Sequence, residues 1–245
     1  MSGSAIHPGW PVPPRTALLA AIVLVLVLMS WVDLPLSRAL RAAPAWFHAT
    51  GDILTEIGNS RWWLGPLALM TVAALLLRWR SADAARRMHG WLAGAFAFVF
   101  VAIAVPGLVN NGLKILIGRA RPSVLVEQGI YGFDPFNMYA RFHSFPSGHS
   151  VTMGALAVAL AILLPAYRWW FLAAGVLLAS TRMVVNAHFA SDVVAGLLVG
   201  SLGALLVARL FAARGWVLVR CRQGRLGLAA PGRLWRRRSV RQIFS

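Results

Sequence analysis

Long apolar runs constrain this chain more than any other feature of its sequence. The first run, residues 16–32, carries no charge at all. A run of about 20 apolar residues spans the hydrocarbon core of a bilayer as an α-helix. Charged residues make up 13% of the chain, about half of the roughly 25% that soluble domains contain. The sequence therefore predicts an all-α bundle of six transmembrane helices. The predicted spans are residues 16–32, 62–77, 91–117, 147–165, 169–186 and 192–210.

Three regions are expected along the chain: a disordered lead at 1–15, a six-span membrane domain at 16–212 and a basic tail at 213–245. A cleaved signal peptide is the competing explanation for the first apolar run. No basic residue other than Arg15 precedes that run, and no small-residue cleavage site follows it directly. Both observations favour a retained span. Residues 35–48 are expected to form an amphipathic helix in the membrane interface.

The distribution of arginine predicts the orientation in the membrane. The net charge is +17, but the basic residues flank apolar runs and do not form an element typical of nucleic-acid binding. Arginines are concentrated at 78–87 and in the tail, and six spans put both stretches on one side. The positive-inside rule places that side, with both termini, in the cytoplasm. Two explanations remain open for the tail: a solvated topology anchor and a patch for anionic lipid headgroups.

Ionisable residues gather at the other ends of the spans. Residues 114–122 read K-I-L-I-G-R-A-R-P, residues 146–149 read P-S-G-H, and residues 181–192 read T-R-M-V-V-N-A-H-F-A-S-D. Charged side chains at membrane depth are costly, which makes these residues functional candidates. Because each stretch lies where a span begins or ends on the same side, we expect the three to meet at one membrane face.

Lys114 and Arg121 are the first pair of candidates. They are seven residues apart, so they share a helical face if the third span continues that far. Pro122 marks Arg121 as a probable helix end. Two cations here could bind an anionic ligand or snorkel toward lipid headgroups, and this pair by itself does not distinguish the two.

The second stretch begins the fourth span. Ser147 is a good helix N-cap, and Gly148 lets the backbone approach a ligand closely. The free N–H groups of a helix start suit a phosphate. Ordinary capping would explain Ser147 and Gly148, but it would not explain His149.

The third stretch contributes Arg182, His188 and Asp192. The spacing of four between His188 and Asp192 puts them on one helical face or across a helix start. A carboxylate bonded to one ring nitrogen fixes the tautomer and leaves the other nitrogen free to attack. A satisfied interfacial histidine is the alternative explanation for this group.

Together the three stretches supply what phosphoryl transfer requires. Cations neutralise the phosphoryl oxygens, and two histidines on different elements fit the nucleophile and the acid. Asp192 is the one acidic residue in the three motifs, so no carboxylate cluster is expected to hold magnesium. The single cysteine, Cys221, excludes an intrachain disulfide and a cysteine-based metal site. We therefore expect no metal and no cofactor.

At these residues the chain resembles the type 2 phosphatidic acid phosphatase superfamily of integral-membrane lipid phosphatases. The family signature is K-x6-R-P, P-S-G-H and S-R-x5-H-x3-D, which this sequence matches at 114–122, 146–149 and 182–192. The six-span layout is similar as well. One departure is Thr181, where the family usually has serine. Because the hydroxyl is retained, activity is still expected.

The resemblance implies a role for each matching residue. His188 would be the nucleophile that forms a phosphohistidine, Asp192 would orient it, and His149 would protonate the leaving group. The phosphate oxygens would be bound by Lys114, Arg121, Ser147, Gly148 and Arg182. The family is also metal-independent, and its bacterial members imply an inner-membrane protein with its active site facing the periplasm.

The expected function is hydrolysis of a lipid phosphate whose apolar tail enters sideways between helices. The resemblance suggests lipid A phosphate, undecaprenyl diphosphate, phosphatidylglycerol phosphate or phosphatidic acid. Two alternatives are a lipid phosphotransferase and a non-catalytic lipid-binding membrane protein. The complete set of two histidines and an aspartate argues against the second, because binding alone requires no nucleophile.

Other polar residues lie near the motifs, in the loop after the third span and within the spans. The loop residues either select the headgroup or are simply solvated. Asn110 and Asn111 are expected to hold neighbouring helices together, and Asn186 is close enough to His188 to support it. The loop residues are Glu127, Asp134, Arg141 and His143.

Overall fold

The structure is a computed structural model, and it describes residues 14–220 and 226–229. Most of the lead at 1–15, Cys221 and most of the tail beyond Arg220 lie outside the described residues. The described chain is mainly helical, in agreement with the predicted class. Four helical segments are long and apolar enough to cross a membrane: Arg15–Arg41, Ala45–Arg80, Asp83–Ile117 and Ala190–Ala213.

The first of these segments is one helical rod with an irregular turn inside it. It comprises α1 (Pro14–Val27), a π-helical turn (Leu28–Val32) and α2 (Asp33–Arg41). The helix predicted at 35–48 is wrong, because the chain breaks after Arg41 and α3 (Ala45–Thr55) begins anew. Pro44 causes this break, since it adopts an extended conformation with ψ 153° and restricts the residue before it.

Two long helices follow, α4 (Arg61–Arg80) and α5 (Asp83–Ile117). The α5 helix starts earlier than predicted and continues through Pro106. It ends at Gly118, whose left-handed φ of +61° reverses the chain. Lys114 and Arg121 therefore do not lie on one helix, and the expectation that they share a helical face is wrong.

The segment between the predicted third and fourth spans contains a further helix, α6 (Pro122–Gln128). Pro122 stands at its first position, where the missing N–H costs nothing. Three more helices complete the bundle: α7 (Gly148–Leu163), α8 (Arg168–Val184) and α9 (Ala190–Ala213).

Small residues allow α7 and α9 to pack almost backbone to backbone. A Cβ added at Gly200 would lie 2.1 Å from the Val151 carbonyl oxygen, and one at Gly154 would lie 2.6 Å from the Leu197 carbonyl oxygen. Such contacts are typical of helix association in membranes. Toward the other end of α9, Phe211 packs edge to face against Phe98 of α5, with ring centroids 5.5 Å apart.

A short hairpin closes the end of the bundle farthest from Lys114. Strand β1 (Leu218–Arg220) pairs antiparallel with β2 (Leu226–Leu228), and Leu218 is opposite Leu228. Val217 and Leu218 are buried, and the indole N–H of Trp91 donates to the Ala229 carbonyl at 2.7 Å. The sequence did not predict these strands, because a three-residue strand carries too little periodicity to be recognised.

Candidate active site

The site is built around the N-terminus of α7. Ser147 caps this helix as predicted, because its Oγ accepts from the Ser150 N–H at 3.5 Å and from the Ser150 hydroxyl at 2.9 Å. The backbone N–H of Ser147 donates to the Asp192 carbonyl at 3.0 Å. The starts of α7 and α9 are therefore joined, and the second and third motifs meet at this point.

Lys114 reaches the same helix start from α5. A Cβ added at Gly148 would lie 3.4 Å from Lys114 Nζ and 3.7 Å from Asn110 Nδ2. Two α5 side chains therefore lie close to the α7 backbone at Gly148. The ammonium group and the free N–H groups of the helix start present positive charge to one place, which favours an anion.

His149 lies beside the turn that follows α3. A Cβ added at Gly58 would meet His149 Cβ and Cδ2 at 3.2 Å. Thr55, one turn earlier, accepts a hydrogen bond from Arg182 Nη1 at 3.0 Å. The ring of His149 is within electrostatic range of Arg182, His188 and Lys114. The segment between α3 and α4, which no motif includes, therefore supports two candidate residues.

His188 lies in the short connection between α8 and α9 and is buried. Its Nδ1 is 3.5 Å from Ser144 Oγ and 3.7 Å from Asp192 Oδ2. The second distance exceeds a hydrogen bond, so Ser144 bridges the two, since its hydroxyl donates to Asp192 Oδ2 at 2.6 Å. Burial lowers the pKa of His188 to about 4. The ring is therefore neutral near pH 7, with Nδ1 turned toward the carboxylate and Nε2 left for chemistry.

Arg121 completes the cationic side of the site. The chain places it by two backbone contacts, as its N–H donates to the Arg141 carbonyl at 2.9 Å and its Nε to the Ala140 carbonyl at 3.1 Å. Burial lowers the pKa of Arg121, but a guanidinium stays protonated at neutral pH. Arg121 is within electrostatic range of Lys114 and Arg182. The three cations come from three separate elements.

Arg119 is a central residue that the sequence did not identify. Its side chain is 2% exposed and donates to Asp192 Oδ1, to Ser191 Oγ at 2.6 Å and to Asp33 Oδ2 at 2.7 Å. The Tyr131 hydroxyl accepts from it at 2.8 Å, and burial raises the pKa of Tyr131 to about 12. Asp192 is therefore held from one side by Arg119 and from the other by Ser144.

Asp33 is the second residue that the sequence did not identify. It is 1% exposed at the start of α2, and its Oδ1 accepts from the Ser191 N–H at 2.9 Å. This contact attaches the first helical rod to the start of α9. One signal was available: Arg119 lies two residues before Arg121 of the R-P motif, and a buried arginine requires a carboxylate partner.

Among the remaining loop candidates, the side chains of His143, Asp134 and Arg141 contact other residues of the loop. Nε2 of His143 donates to the Asn137 carbonyl at 2.8 Å, and Asp134 Oδ2 accepts from Asn137 Nδ2 at 2.6 Å. Arg141 is exposed and lies 5.6 Å from the Tyr139 ring centroid. Glu127 is exposed as well. These contacts order the loop and place none of the four side chains on the motif residues.

Two of the three asparagines near the motifs have a buried side-chain oxygen. In the described part of the chain, no donor reaches Oδ1 of Asn110 or of Asn186. Asn186 has a left-handed φ of 51°, a conformation that asparagine tolerates. Residues 14–220 and 226–229 also contain no group of three His, Cys, Asp or Glu side chains placed to hold a metal ion.

The chain is similar to several known proteins. A family model described as PAP2 superfamily matches residues 94–216. A lipid A 1-phosphatase of Rhizobium johnstonii is 36% identical over 214 residues, which cover 84% of this chain and 86% of that protein. One of Rhizobium etli is 36% identical over 209 residues, covering 84% and 88%.

Two solved structures share the fold. The first transmembrane PAP2-type phosphatidylglycerolphosphate phosphatase from Bacillus subtilis superposes with a TM-score of 0.54 at 22% identity, over 78% of this chain and 94% of that one. Aquifex aeolicus LpxE superposes with a TM-score of 0.53 at 18% identity, over 73% and 95%.

Proposed function

This chain belongs to the PAP2 superfamily and is an integral-membrane lipid phosphatase, and we propose that it hydrolyses the 1-phosphate of lipid A or of a closely related acylated amino-sugar phosphate. The relatives that are 36% identical are lipid A 1-phosphatases, which supports this substrate class. The observation that carries the proposal is the convergence of His149, His188 and three cations on the start of α7.

The first chemical step is transfer of the phosphoryl group to His188. Its neutral Nε2 attacks phosphorus, the bond from phosphorus to the ester oxygen breaks, and His149 gives its proton to that oxygen. The negative charge of the bound phosphate stabilises the protonated ring of His149 beforehand. The products of this step are the free alcohol and a phosphohistidine on His188.

The second step is hydrolysis of the phosphohistidine. His149, now neutral, takes a proton from a water molecule that attacks phosphorus. The bond between phosphorus and nitrogen breaks, and His188 returns to its neutral form as inorganic phosphate leaves. Asp192 stabilises the positive charge that His188 carries while it is phosphorylated.

Charge neutralisation in both steps is assigned to the protein. Lys114, Arg121 and Arg182 face the phosphoryl oxygens, and Ser147 and the Gly148 N–H also bind them. We call these five residues the phosphate cradle. These groups carry out the task that magnesium performs in many other phosphoryl-transfer sites. Activity is therefore expected to persist in the presence of a chelator.

We further propose that the chain crosses a bacterial inner membrane six times, with the site toward the periplasm and both termini in the cytoplasm. Two shorter helices, α7 with 16 residues and α8 with 17, complete the six crossings. Successive spans start or end at the site, and Asp33, Arg61 and Lys114 lie at that end of α2, α4 and α5. The arginines at 78–87 lie at the opposite end, which the positive-inside rule assigns to the cytoplasm.

Phosphate release by purified protein in detergent, with chelator present, tests the activity. The substrate panel contains a lipid A 1-phosphate, a polyprenyl diphosphate, phosphatidylglycerol phosphate and phosphatidic acid, with no acceptor lipid. We expect free phosphate from the lipid A species at the highest rate. A phosphotransferase would release no free phosphate under these conditions and would form a phosphorylated lipid only when an acceptor was added. Loss of activity on chelation would contradict the metal-free mechanism.

The His188→Ala variant tests the phosphohistidine. We expect the rate to fall about a hundredfold or more. With a substrate labelled on its phosphate, rapid quenching without acid is expected to trap labelled phosphohistidine in the wild type alone. His89→Ala is the control, since His89 lies near the start of α5 and bonds to Ser81. Retention of half of the activity in His188→Ala would remove His188 from the nucleophile role.

Cysteine labelling in spheroplasts tests the orientation. The wild type offers Cys221 in the tail, and a Cys221→Ser, Ser123→Cys variant places one exposed thiol on α6 beside the site. An impermeant maleimide is expected to label the α6 thiol in intact spheroplasts, and Cys221 only after lysis. The reverse pattern would invert the proposed topology.

A further inference from the structure

A cavity of about 310 Å³ opens beside the candidate site, between the starts of α4 and α7 and the second half of α5. Its volume is at the small end of ligand pockets, which measure roughly 300–1,000 Å³. The walls at membrane depth are apolar and include Leu64, Ile103 and Leu108. Near the site the walls are polar, and this part is lined by Asn59, Ser60, Asn110, Asn111, His149 and Thr152.

Asn110 is the side chain in this wall that most requires a ligand. It is 1% exposed, and no donor in the described part of the chain reaches its Oδ1. A buried acceptor without a partner costs free energy, so native proteins rarely keep one without a reason. Its Nδ2 is directed toward Gly148, 3.7 Å from the position of an added Cβ, and the amide therefore lies between the phosphate cradle and the cavity.

The position of His149 indicates which part of the substrate occupies the cavity. In the proposed reaction His149 protonates the ester oxygen, so the leaving alcohol must lie against this ring. Because His149 and Gly148 line the cavity, the first atoms of the leaving alcohol lie there, next to Asn110. The polar part of the wall thus faces the atoms that adjoin the phosphorylated carbon.

We propose that this cavity receives the leaving alcohol, and that Asn110 Oδ1 accepts a hydrogen bond from an N–H or O–H group close to the phosphorylated carbon. An acylamino group on a sugar 1-phosphate supplies such a donor, whereas a polyprenyl or alkyl phosphate does not. This inference rests on the proposed function, and it gives a physical reason why the protein would prefer an acylated amino-sugar phosphate. A site built to bond a polar substrate group rejects analogues that lack the group, because its own polar atom stays unpaired.

Paired substrates test the inference in the wild-type protein. One is an N-acyl amino-sugar 1-phosphate lipid, and the other carries an ester oxygen in place of the amide N–H, with identical chains. We expect kcat/KM to be about tenfold or more higher for the amide, since a tenfold ratio corresponds to one good hydrogen bond. Equal values for the two substrates would overturn the inference.

The Asn110→Leu variant tests whether Asn110 accepts the hydrogen bond from the substrate. It retains the approximate size of the side chain and removes the amide. We expect kcat/KM for the amide substrate to fall about tenfold and that for a plain alkyl phosphate to stay the same or rise. An equal loss on both substrates, or no change on either, would overturn the assignment to Asn110.

Val109→Ala is the matched control, because Val109 precedes Asn110 on α5 and its side chain is 54% exposed. This control is expected to retain the wild-type ratio of the two substrates. If the leucine variant fails to fold, the paired substrates decide the question in the wild type. If the wild type releases phosphate from neither substrate, the proposed function itself fails, whereas release without discrimination overturns only the role of Asn110.

Discussion

Arg119 and Asp192 form an ion pair whose side chains are 2% and 0% exposed. Arg119 also binds Asp33 at 2.7 Å, so a single guanidinium joins the first helical rod to the carboxylate beside His188. Removing one partner of a buried ion pair leaves an uncompensated charge, which typically costs about 3–5 kcal/mol. The geometry of the site and the stability of the bundle therefore depend on the same side chain.

Arg119→Met is expected to lower both the melting temperature and kcat, because two carboxylates would remain buried without their cation. A cost of this size corresponds to a decrease of about 10 °C in Tm for a chain of this length. Thermal unfolding in detergent and steady-state rates measure the two effects. Arg141→Met is the stability control, since Arg141 is an exposed loop residue whose replacement should change stability by less than about 0.5 kcal/mol. A Tm equal to that of the wild type would contradict a structural role for Arg119.

Ser144→Ala is expected to lower kcat about tenfold and to leave KM nearly unchanged. The Ser144 hydroxyl donates to Asp192 at 2.6 Å and lies 3.5 Å from His188, so it positions the pair without reaching the phosphate. The tenfold figure follows from the roughly 1.5 kcal/mol of a hydrogen bond to a charged group. Ser180→Ala is the control, because the Ser180 hydroxyl bonds within its own helix at 2.8 Å. A rise in KM at constant kcat would show that Ser144 binds substrate instead.

The pH dependence of kcat/KM should show an acidic limb near pH 4. Burial lowers the pKa of His188 from an ordinary 6.5 to about 4, and only the neutral ring can attack phosphorus. Protonation of His188 therefore costs no activity as pH falls through 6.5 and removes activity only near pH 4. Rates measured from pH 3.5 to 8 in mixed buffers test this expectation. A limb centred at pH 6.5 would mean that the nucleophile is a solvated histidine.

Gly196→Ala is expected to reduce activity and stability together, because the added Cβ would lie 2.5 Å from the Ser147 carbonyl oxygen. Relieving that contact shifts the start of α7, and overpacking of this kind costs about 1–3 kcal/mol. Gly65→Ala provides the comparison, since no atom lies within 4 Å of its added Cβ. Gly65→Ala should stabilise its helix by about 0.5–1 kcal/mol, and we expect its activity to equal that of the wild type. Equal activities of the two variants would contradict the close approach of α7 and α9.

The sequence predicted the residues that carry the chemistry of the site better than the residues that hold them in place. Its motifs named Lys114, His149 and His188, which the structure brings to one place, while their catalytic roles stay predictions. Arg119 and Asp33 were missed, because they are 86 positions apart in the chain and no spacing rule connects them. The helix at 35–48 was wrong because hydrophobic periodicity continued across Pro44, where the backbone could not.

By itself, the sequence determined that this chain is a helical membrane protein with two histidines, one aspartate and three cations at helix ends. Apolar runs and short motifs are local patterns, and local patterns are readable without coordinates. The tertiary structure decided how Asp192 is held, which side chain faces the cavity and how close α7 lies to α9. Those properties depend on contacts between distant segments, whose energies come from burial and complementary charge, and no single stretch of chain contains both partners.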